Sequence, residues 1–219
     1  MQINIKSNIK QLTRSLNETQ RKRIPFATSR ALNDVAATAA LGTLREKAER
    51  VFEGGATGYT KRGFRYNRSN KQNLTAEVFI DPSRADYMKF QIAGGTRFPK
   101  NKAILIPTRN TKLNKFGNIK RGTYNQIINN KQKYFSGVPK GLSGAHNEGI
   151  WERYGRQTKR GGQRIRMVAK FIKDAGYQPL FPFAKTTEGV VFSRNDGVAN
   201  RFRVRLREAL AKKKPVKMR

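Results

Sequence analysis

The chain contains no cysteine, one histidine and 14 acidic residues among 219. The absence of cysteine excludes disulfides, thiol catalysis and any cysteine-based zinc site, and it fits a reducing compartment. The longest apolar stretches, residues 35–42 and 103–107, are far shorter than the ~20 residues that cross a bilayer. The N-terminus also lacks the apolar segment and cleavage site of a secretion signal. We therefore expect neither a membrane span nor secretion.

Positive charge is what the chain has in excess. It carries 47 Lys and Arg against 14 Asp and Glu, a formal net charge of +33. Between Asp86 and Glu148 there are 61 residues without a carboxylate, and twelve of them are Lys or Arg. This charge is far above what solubility requires, so counterions or an acidic partner must offset the self-repulsion. The first inference is contact with a polyanion, or with an assembly that holds one.

The apolar content predicts a folded domain. With 37% hydrophobic residues, 13 Phe and 7 Tyr, the chain is too apolar for a disordered basic tail and can bury one core of ordinary size. We predict a single domain over residues 1–219. Residues 1–23 would form an N-terminal helix and basic linker, and residues 213–219 a basic tail.

Helix signals are strongest in residues 26–52. After Pro25 this segment consists almost wholly of helix formers, its first half is rich in small residues, and Gly54 and Gly55 follow it. Apolar spacing also predicts an amphipathic helix over residues 1–18, with Ser7 as a possible N-cap. Further helices are predicted over residues 83–93, 123–130 and 201–212.

Alternating apolar residues and turn signals predict the strands. They cover residues 60–66, 74–81, 103–106, 149–154 and 164–172. A polar loop is expected over residues 107–122, a basic hairpin or flap over 155–162, and a rigid apolar hinge over 179–183. The predicted class is α+β, in which a long Ala-rich helix and a C-terminal helix pack on a mostly antiparallel sheet with basic loops.

Three patterns superficially suggest an enzyme. His146, Glu148 and Glu152 could form a metal or acid–base cluster, but their spacing is weakly specific and His146 lies in a loop by composition. The glycines of residues 54–61 miss the phosphate-loop spacing and follow a helix, which favours a helix cap. Residues 149–155 resemble half of a GIY-YIG nuclease motif, yet a buried strand around Trp151 explains them better. We predict no catalytic residue, metal, cofactor or small-molecule substrate.

Nucleic-acid contact has better support. Residues 59–68 interleave aromatic side chains with cations, and residues 156–166 form a cationic flap; such patches neutralise phosphates and stack bases. No RRM, KH, zinc-finger or helix-turn-helix signature is present, so we expect no base-specific readout. The candidate contacts to nucleic acid or an acidic partner are Lys61, Arg62, Arg65, Arg68, Lys115, Lys120, Arg121, Lys159, Arg160, Arg164 and Arg166.

Five stretches are similar to segments of tailed-phage minor tail proteins of the lambda gene Z type, the tail-completion family. They are residues 24–36 (IPFATSRALNDVA), 94–100 (GGTRFPK), 114–122 (NKFGNIKRG), 134–141 (YFSGVPKG) and 149–153 (GIWER). The resemblance implies a structural virion protein, assembled in the host cytoplasm, that completes the head-proximal end of the tail and joins it to the head. It also implies a homo-oligomeric ring, other neck and tail proteins as partners, and contact with the end of the packaged DNA.

Two further expectations concern assembly and alternatives. The charged second half of the long helix, with Arg45, Glu49 and Arg50, is the candidate subunit interface. The alternative function is a non-specific RNA- or DNA-binding protein of ribosomal type, and a nuclease comes third. Ribosomal proteins usually carry their charge in extended tails, whereas here it lies in loops between apolar elements, which favours the neck protein.

Overall fold

The computed structural model describes residues 2–5, 18–85, 87–157 and 162–211. They form helices and antiparallel sheets, which confirms the α+β class. The sequence predicts one domain, but the described chain divides into two compact units. Unit 1 takes its residues from Met1–Phe52, Ala56–Ile92 and Pro179–Arg219, and unit 2 consists of Glu53–Gly55 and Ala93–Gln178.

A long continuous helix forms the centre of unit 1. It comprises α1 (Glu18–Ala37), a π-helical turn (Thr38–Thr43) and α2 (Leu44–Val51). The helix predicted over residues 26–52 is confirmed, but it begins earlier, so Pro25 lies inside α1 and not in its first turn. Gly54 and Gly55 follow with φ angles of 72° and 85°, left-handed values that favour glycine and end the helix.

Small side chains let other elements approach this helix closely. Six of its alanines have no exposed surface: Ala27, Ala31, Ala36, Ala39, Ala40 and Ala48. Around them the core of unit 1 gathers larger residues, including Leu32, Phe64, Met88, Phe181 and Phe183. The rings of Phe64 and Phe181 lie 5.5 Å apart between centroids.

The sheet of unit 1 has three antiparallel strands. Its order is β1 (Gln2–Ile5), β3 (Ala76–Ile80) and β2 (Phe64–Asn67), so the strand predicted over residues 74–81 is confirmed. The predicted N-terminal helix is wrong for Gln2–Ile5, because their alternating sequence pairs with the edge of β3. The rest of that prediction, with the N-cap Ser7, lies outside the described residues.

Local capping overrides part of the next predicted strand. The pattern of residues 60–66 predicts extended backbone, but α3 (Gly58–Gly63) precedes β2. The Thr60 backbone N–H donates to Thr57 Oγ1 at 3.1 Å, an N-cap that strand periodicity does not reveal. The helix predicted over residues 83–93 is found as two short pieces, α4 (Pro82–Ala85) and α5 (Met88–Ala93).

Two helices complete unit 1. The segment predicted as a rigid hinge over residues 179–183 leads into an unpredicted helix, α7 (Phe183–Val191), and buries Phe181 and Phe183. The C-terminal helix is confirmed as α8 (Val198–Ala211) and packs chiefly on α1. Arg205 Nε lies 2.6 Å from Asp34 Oδ2 of α1, a contact that fixes the two helices together.

Unit 2 is built on a four-stranded antiparallel sheet. Its order is β5 (Ile104–Pro107), β8 (Arg164–Ile172), β7 (Gly149–Tyr154) and β6 (Tyr134–Gly137). The predictions of β5, β7 and β8 are confirmed, as is a helix near residues 123–130, found as α6 (Arg121–Asn129). The sequence analysis missed β6. Pro107 is tolerated because β5 is an edge strand.

A small apolar cluster joins α6 to this sheet. Ile127, Tyr134 and Val168 are buried, and Ile150 packs against them. Two further strands, β4 (Gly95–Arg97) and β9 (Ala175–Tyr177), pair with each other in a separate antiparallel ribbon. The predicted polar loop is confirmed around a turn in which Asn114 Oδ1 accepts the backbone N–H groups of Phe116 and Asn118.

Candidate nucleic-acid interface

The hairpin formed by β7 and β8 brings many of the cations of unit 2 together. The two strands pair antiparallel from Gly149 opposite Lys170 to Tyr154 opposite Arg164, which confirms the predicted hairpin. Its distal half carries six cations: Arg153, Arg156, Lys159, Arg160, Arg164 and Arg166. Of these, Lys159 and Arg160 lie outside the described residues.

Glu152 is the only carboxylate between residues 149 and 172, and it is buried. Its oxygens lie 2.7 Å from Arg166 Nε and 3.0 Å from Lys133 Nζ. Burial by itself would raise the pKa of Glu152, but the hydrogen bonds from Arg166 and Lys133 outweigh it, and the pKa is lowered. The same bond to Glu152 raises the pKa of Arg166. The hairpin therefore presents no exposed carboxylate to solvent.

The strand register places specific residues on one face of the hairpin. Residues directly opposite each other in antiparallel strands share a face, so Tyr154 lies beside Arg164, and Glu152 beside Arg166 and Tyr134. Arg166 lies over the Tyr154 ring, with Cζ 5.1 Å from the ring centroid. Arg164 is exposed and has no ion-pair partner among the described residues, and the same is true of Arg156.

On the other face of the hairpin, the side chains of Arg153 and Trp151 make contacts within the chain. Arg153 Nη1 donates to the Gln132 carbonyl at 2.9 Å, and its guanidinium lies 4.4 Å from the Phe135 ring centroid. Trp151 is buried and its Nε1–H is shared between the carbonyls of Gly137 and Asn147. The interpretation of residues 149–155 as a buried strand around Trp151 is thereby confirmed, and Arg153 has a structural role.

Three further predicted cations of unit 2 lie outside the hairpin. Lys115 belongs to the loop before α6 and lies over the Phe116 ring at 4.8 Å. Lys120 is the N-cap residue of α6 and Arg121 its first residue, and both are exposed. The loop around Lys115 approaches the backbone so closely that position 54 must be glycine. A Cβ on Gly54 would fall 1.7 Å from the Lys115 carbonyl oxygen.

The predicted cations of unit 1 are largely satisfied by neighbours. Lys61 Nζ lies 2.8 Å from Glu49 Oε2, and Arg65 Nε lies 3.3 Å from Asp81 Oδ2. Arg68 lies over the Tyr66 ring, while Arg62 is exposed. Paired cations neutralise little of an external polyanion, so Lys61 and Arg65 are weaker candidates than the sequence implied.

The pKa of Asp81 reflects this local pairing. It is lowered chiefly by the hydrogen bond from Ser83, with smaller contributions from Arg65 and Arg84. Ser83 Oγ donates to Asp81 Oδ1 at 2.7 Å. The carboxylate therefore stays charged and holds both arginines near the start of α4.

The predicted subunit interface is only partly available to a partner. Glu49 accepts the Ala56 backbone N–H at 2.9 Å as well as pairing with Lys61, so its carboxylate is used within the chain. Arg50 is loosely paired with Glu46 at 3.9 Å, and both side chains are mostly exposed. Arg45 is half-buried, and its Nε has no hydrogen-bond partner in the described part of the chain.

The residues considered for catalysis do not come together. Within residues 2–5, 18–85, 87–157 and 162–211 there is no group of three or more His, Asp or Glu that could hold a metal ion. His146 lies in a 3₁₀ turn (Ala145–Asn147) with its Nε2 3.0 Å from Asn147 Nδ2. Glu152 is instead occupied by Lys133 and Arg166.

Sequence reasoning missed one concave feature, at the C-terminal end of α6. An open groove is lined by Asn125, Gln126, Asn129, Asn130, Lys131 and Gln132. The run of amides in residues 125–132 is the signal that could have indicated it. Amides both donate and accept hydrogen bonds, so this groove suits neutral polar groups.

The chain matches no protein-family model, no curated protein and no solved structure. None of the described helices is long and apolar enough to cross a membrane.

Proposed function

We propose that this protein is a non-enzymatic structural protein that contacts a polyanion, packaged DNA in the first place, through the β7–β8 hairpin. The observation that carries the proposal is the arrangement around Glu152. The one carboxylate of the hairpin is buried between Arg166 and Lys133, whereas Arg156 and Arg164 are exposed and unpaired among the described residues. The positive potential at the hairpin is therefore unopposed.

A two-stranded ribbon of this kind suits a nucleic-acid backbone. Cations on such a ribbon neutralise phosphates and release condensed counterions, which gives binding that depends on salt and little on sequence. Phosphate contacts fix position and orientation without reading bases. The hairpin supplies these contacts without a cofactor, a metal or a small-molecule substrate.

The place in the virion rests on the resemblance to the tail-completion family. In this proposal the chain is a subunit of a homo-oligomeric ring at the head-proximal end of the tail, made in the host cytoplasm together with other neck and tail proteins. The hairpin cations then face the genome end, and Arg45 and Arg50 on α2 face the adjacent subunit. The charge supports the DNA contact, and the resemblance supports the location.

The test of the DNA contact is the salt dependence of binding to duplex DNA. We expect binding without sequence preference, with log affinity falling linearly with log salt by about 0.9 per phosphate neutralised. Replacing Arg156, Lys159, Arg160 and Arg164 together by Gln should lower that slope by about 0.9 for each phosphate that is no longer neutralised.

The matched control removes four cations from unit 1, by changing Lys61, Arg62, Arg65 and Arg68 to Gln. It should lower the slope less than the hairpin variant does, because Lys61 and Arg65 are already paired with Glu49 and Asp81. Equal changes of the slope in the two variants would show that binding depends on the net charge of the chain and not on the hairpin. Absent binding would favour an acidic protein partner, and a strong preference for RNA would favour the ribosomal-type alternative.

A further inference from the structure

We propose that Tyr154, with Arg164 and Arg166, forms a stacking site for an unpaired nucleobase, so that the hairpin prefers single-stranded nucleic acid to duplex. The inference rests on the proposed function, because it names the form of polyanion that the same hairpin binds. Tyr154 is the last residue of β7, where the ribbon leaves the sheet.

The setting of Tyr154 differs from that of three other aromatic residues in this sheet, Tyr134, Phe135 and Trp151. Tyr134 and Trp151 are buried, and Phe135 is covered by Arg153. Tyr154 is 38% exposed. Its hydroxyl has no hydrogen-bond partner among the residues that the structure describes. The ring is therefore neither core nor anchored by its polar end.

Arg166 holds the ring in place from one side. Its guanidinium lies over the ring at 5.1 Å, and its Nε is fixed by Glu152 at 2.7 Å. The buried carboxylate thus orients the arginine, and the arginine orients the tyrosine. A preoriented ring loses little conformational freedom when a second planar group stacks on its exposed surface.

Arg164 supplies the phosphate contact beside that surface. It lies directly opposite Tyr154 in the register, on the same face, and is exposed without an ion-pair partner in the described part of the chain. Aromatic rings flanked by cations are the common arrangement for sequence-tolerant binding of single strands, because every base has a stacking face. In duplex DNA those faces are covered by neighbouring base pairs, so the ring gains nothing there.

The test compares three probes of equal length at one salt concentration: oligo-dT, an abasic oligonucleotide and a duplex. We expect wild type to bind oligo-dT more tightly than the other two. Tyr154→Ala should weaken oligo-dT binding by about 5- to 100-fold. It should leave abasic and duplex binding unchanged, because these probes offer phosphates but no free base.

Two variants control for the ring and for the fold. Tyr154→Phe should bind oligo-dT like wild type, because stacking does not need the hydroxyl. Tyr124→Ala removes a tyrosine of unit 2 that is 48% exposed on α6, and should change nothing.

Equal binding of oligo-dT and the abasic strand, both weakened by salt, would overturn the stacking site and leave the proposed polyanion contact standing. Parallel weakening of all three probes in Tyr154→Ala would also overturn it, because the tyrosine would then be structural. If no probe binds wild type, both the stacking site and the proposed function fail.

Discussion

Glu152 lies on β7 between cations of two other segments, Lys133 just before β6 and Arg166 on β8. A buried carboxylate is costly unless its charge is matched and its oxygens accept hydrogen bonds. Both conditions are met here, since each oxygen has a cationic donor. The same contacts hold three neighbouring segments of unit 2 together, and they pair two of its cations with a carboxylate within the chain.

Glu152→Gln should lower the free energy of unfolding at pH 7 by roughly 1–3 kcal/mol, because Lys133 and Arg166 then lose their charged acceptor. The pKa of Glu152 is lower in the folded chain than its ordinary value of 4.5. As the pH falls, Glu152 is therefore protonated at a lower pH in the folded chain than in the unfolded chain. Its charge stabilises the fold above about pH 4.5. This stabilisation is lost as pH falls through the folded pKa.

Urea unfolding from pH 7 down to pH 3 should show the difference between wild type and Glu152→Gln shrinking below pH 4.5. Glu148→Gln is the matched control, since Glu148 is exposed, and it should change stability by less than about 0.5 kcal/mol. A difference that stays constant over the whole range would show that the charge of Glu152 is not what stabilises the fold.

For individual residues, the sequence predicts where cations are dense but not which of them lack an ion-pair partner. Lys61 and Arg65 look equivalent to Arg62 in the sequence. Their partners, Glu49 and Asp81, lie 12 and 16 residues away along the chain and become neighbours only in the fold. The pairing of Arg166 with Glu152 depends in the same way on the strand register, which the sequence does not specify.

The long helix of unit 1 changes its hydrogen-bonding pattern at the π-helical turn, Thr38–Thr43. Within that turn Ala39 and Ala40 are fully buried, whereas Leu41 is 46% exposed. Small side chains at the buried positions let α7 and the sheet of unit 1 pack closely against the turn. The turn is thus fixed by packing on one side and open on the other.

Ala39→Leu should destabilise the protein by about 1–3 kcal/mol, because the added carbons overpack a site with no free surface. Gly42→Ala, three residues later, should instead stabilise it by about 0.5–1 kcal/mol. A Cβ on Gly42 would meet nothing within 4 Å, and alanine is the better helix former. Chemical denaturation of both variants measures the two signs. Equal destabilisation by both substitutions would mean that the backbone of the π-helical turn, and not the space around each side chain, determines which residues fit there.

Elements with a long, single periodicity were predictable, and short ones governed by a local contact were not. The long helix, α8, β3, β7 and β8 were all predicted from residue patterns. The capping of α3 by Thr57 depends on one hydrogen bond, and β1 depends on the free edge of β3. The helix α7 was missed because the two prolines before Phe183 suggested a hinge.

The two compact units could not be seen in the sequence, because unit 1 is discontinuous. The chain leaves it after Ile92 and returns at Pro179. Unit 2 carries nineteen Lys and Arg against four Asp and Glu, and its described buried cluster is small. Both units therefore share the basic character of the whole, and composition alone gives no boundary between them.

At the scale of the whole molecule, the proposed neck role requires copies of the chain to assemble into a ring. A chain of charge +33 repels copies of itself, so the proposed ring would need the opposing charge of DNA or of acidic neighbours. If the chain is the neck protein proposed above, deletion of its gene from the phage should leave heads full of DNA and finished tails that fail to join, visible by electron microscopy of lysates.

Arg50→Glu should give the same phenotype with a folded subunit. Arg50 is mostly exposed and only loosely paired with Glu46, so its reversal removes no buried contact, whereas reversal of the half-buried Arg45 would disturb the helix as well. Arg207→Glu makes the same charge change at an exposed position of α8 and should leave joining intact. Normal particles from Arg50→Glu would remove α2 from the subunit interface, and normal joining in the deletion would refute the neck role itself.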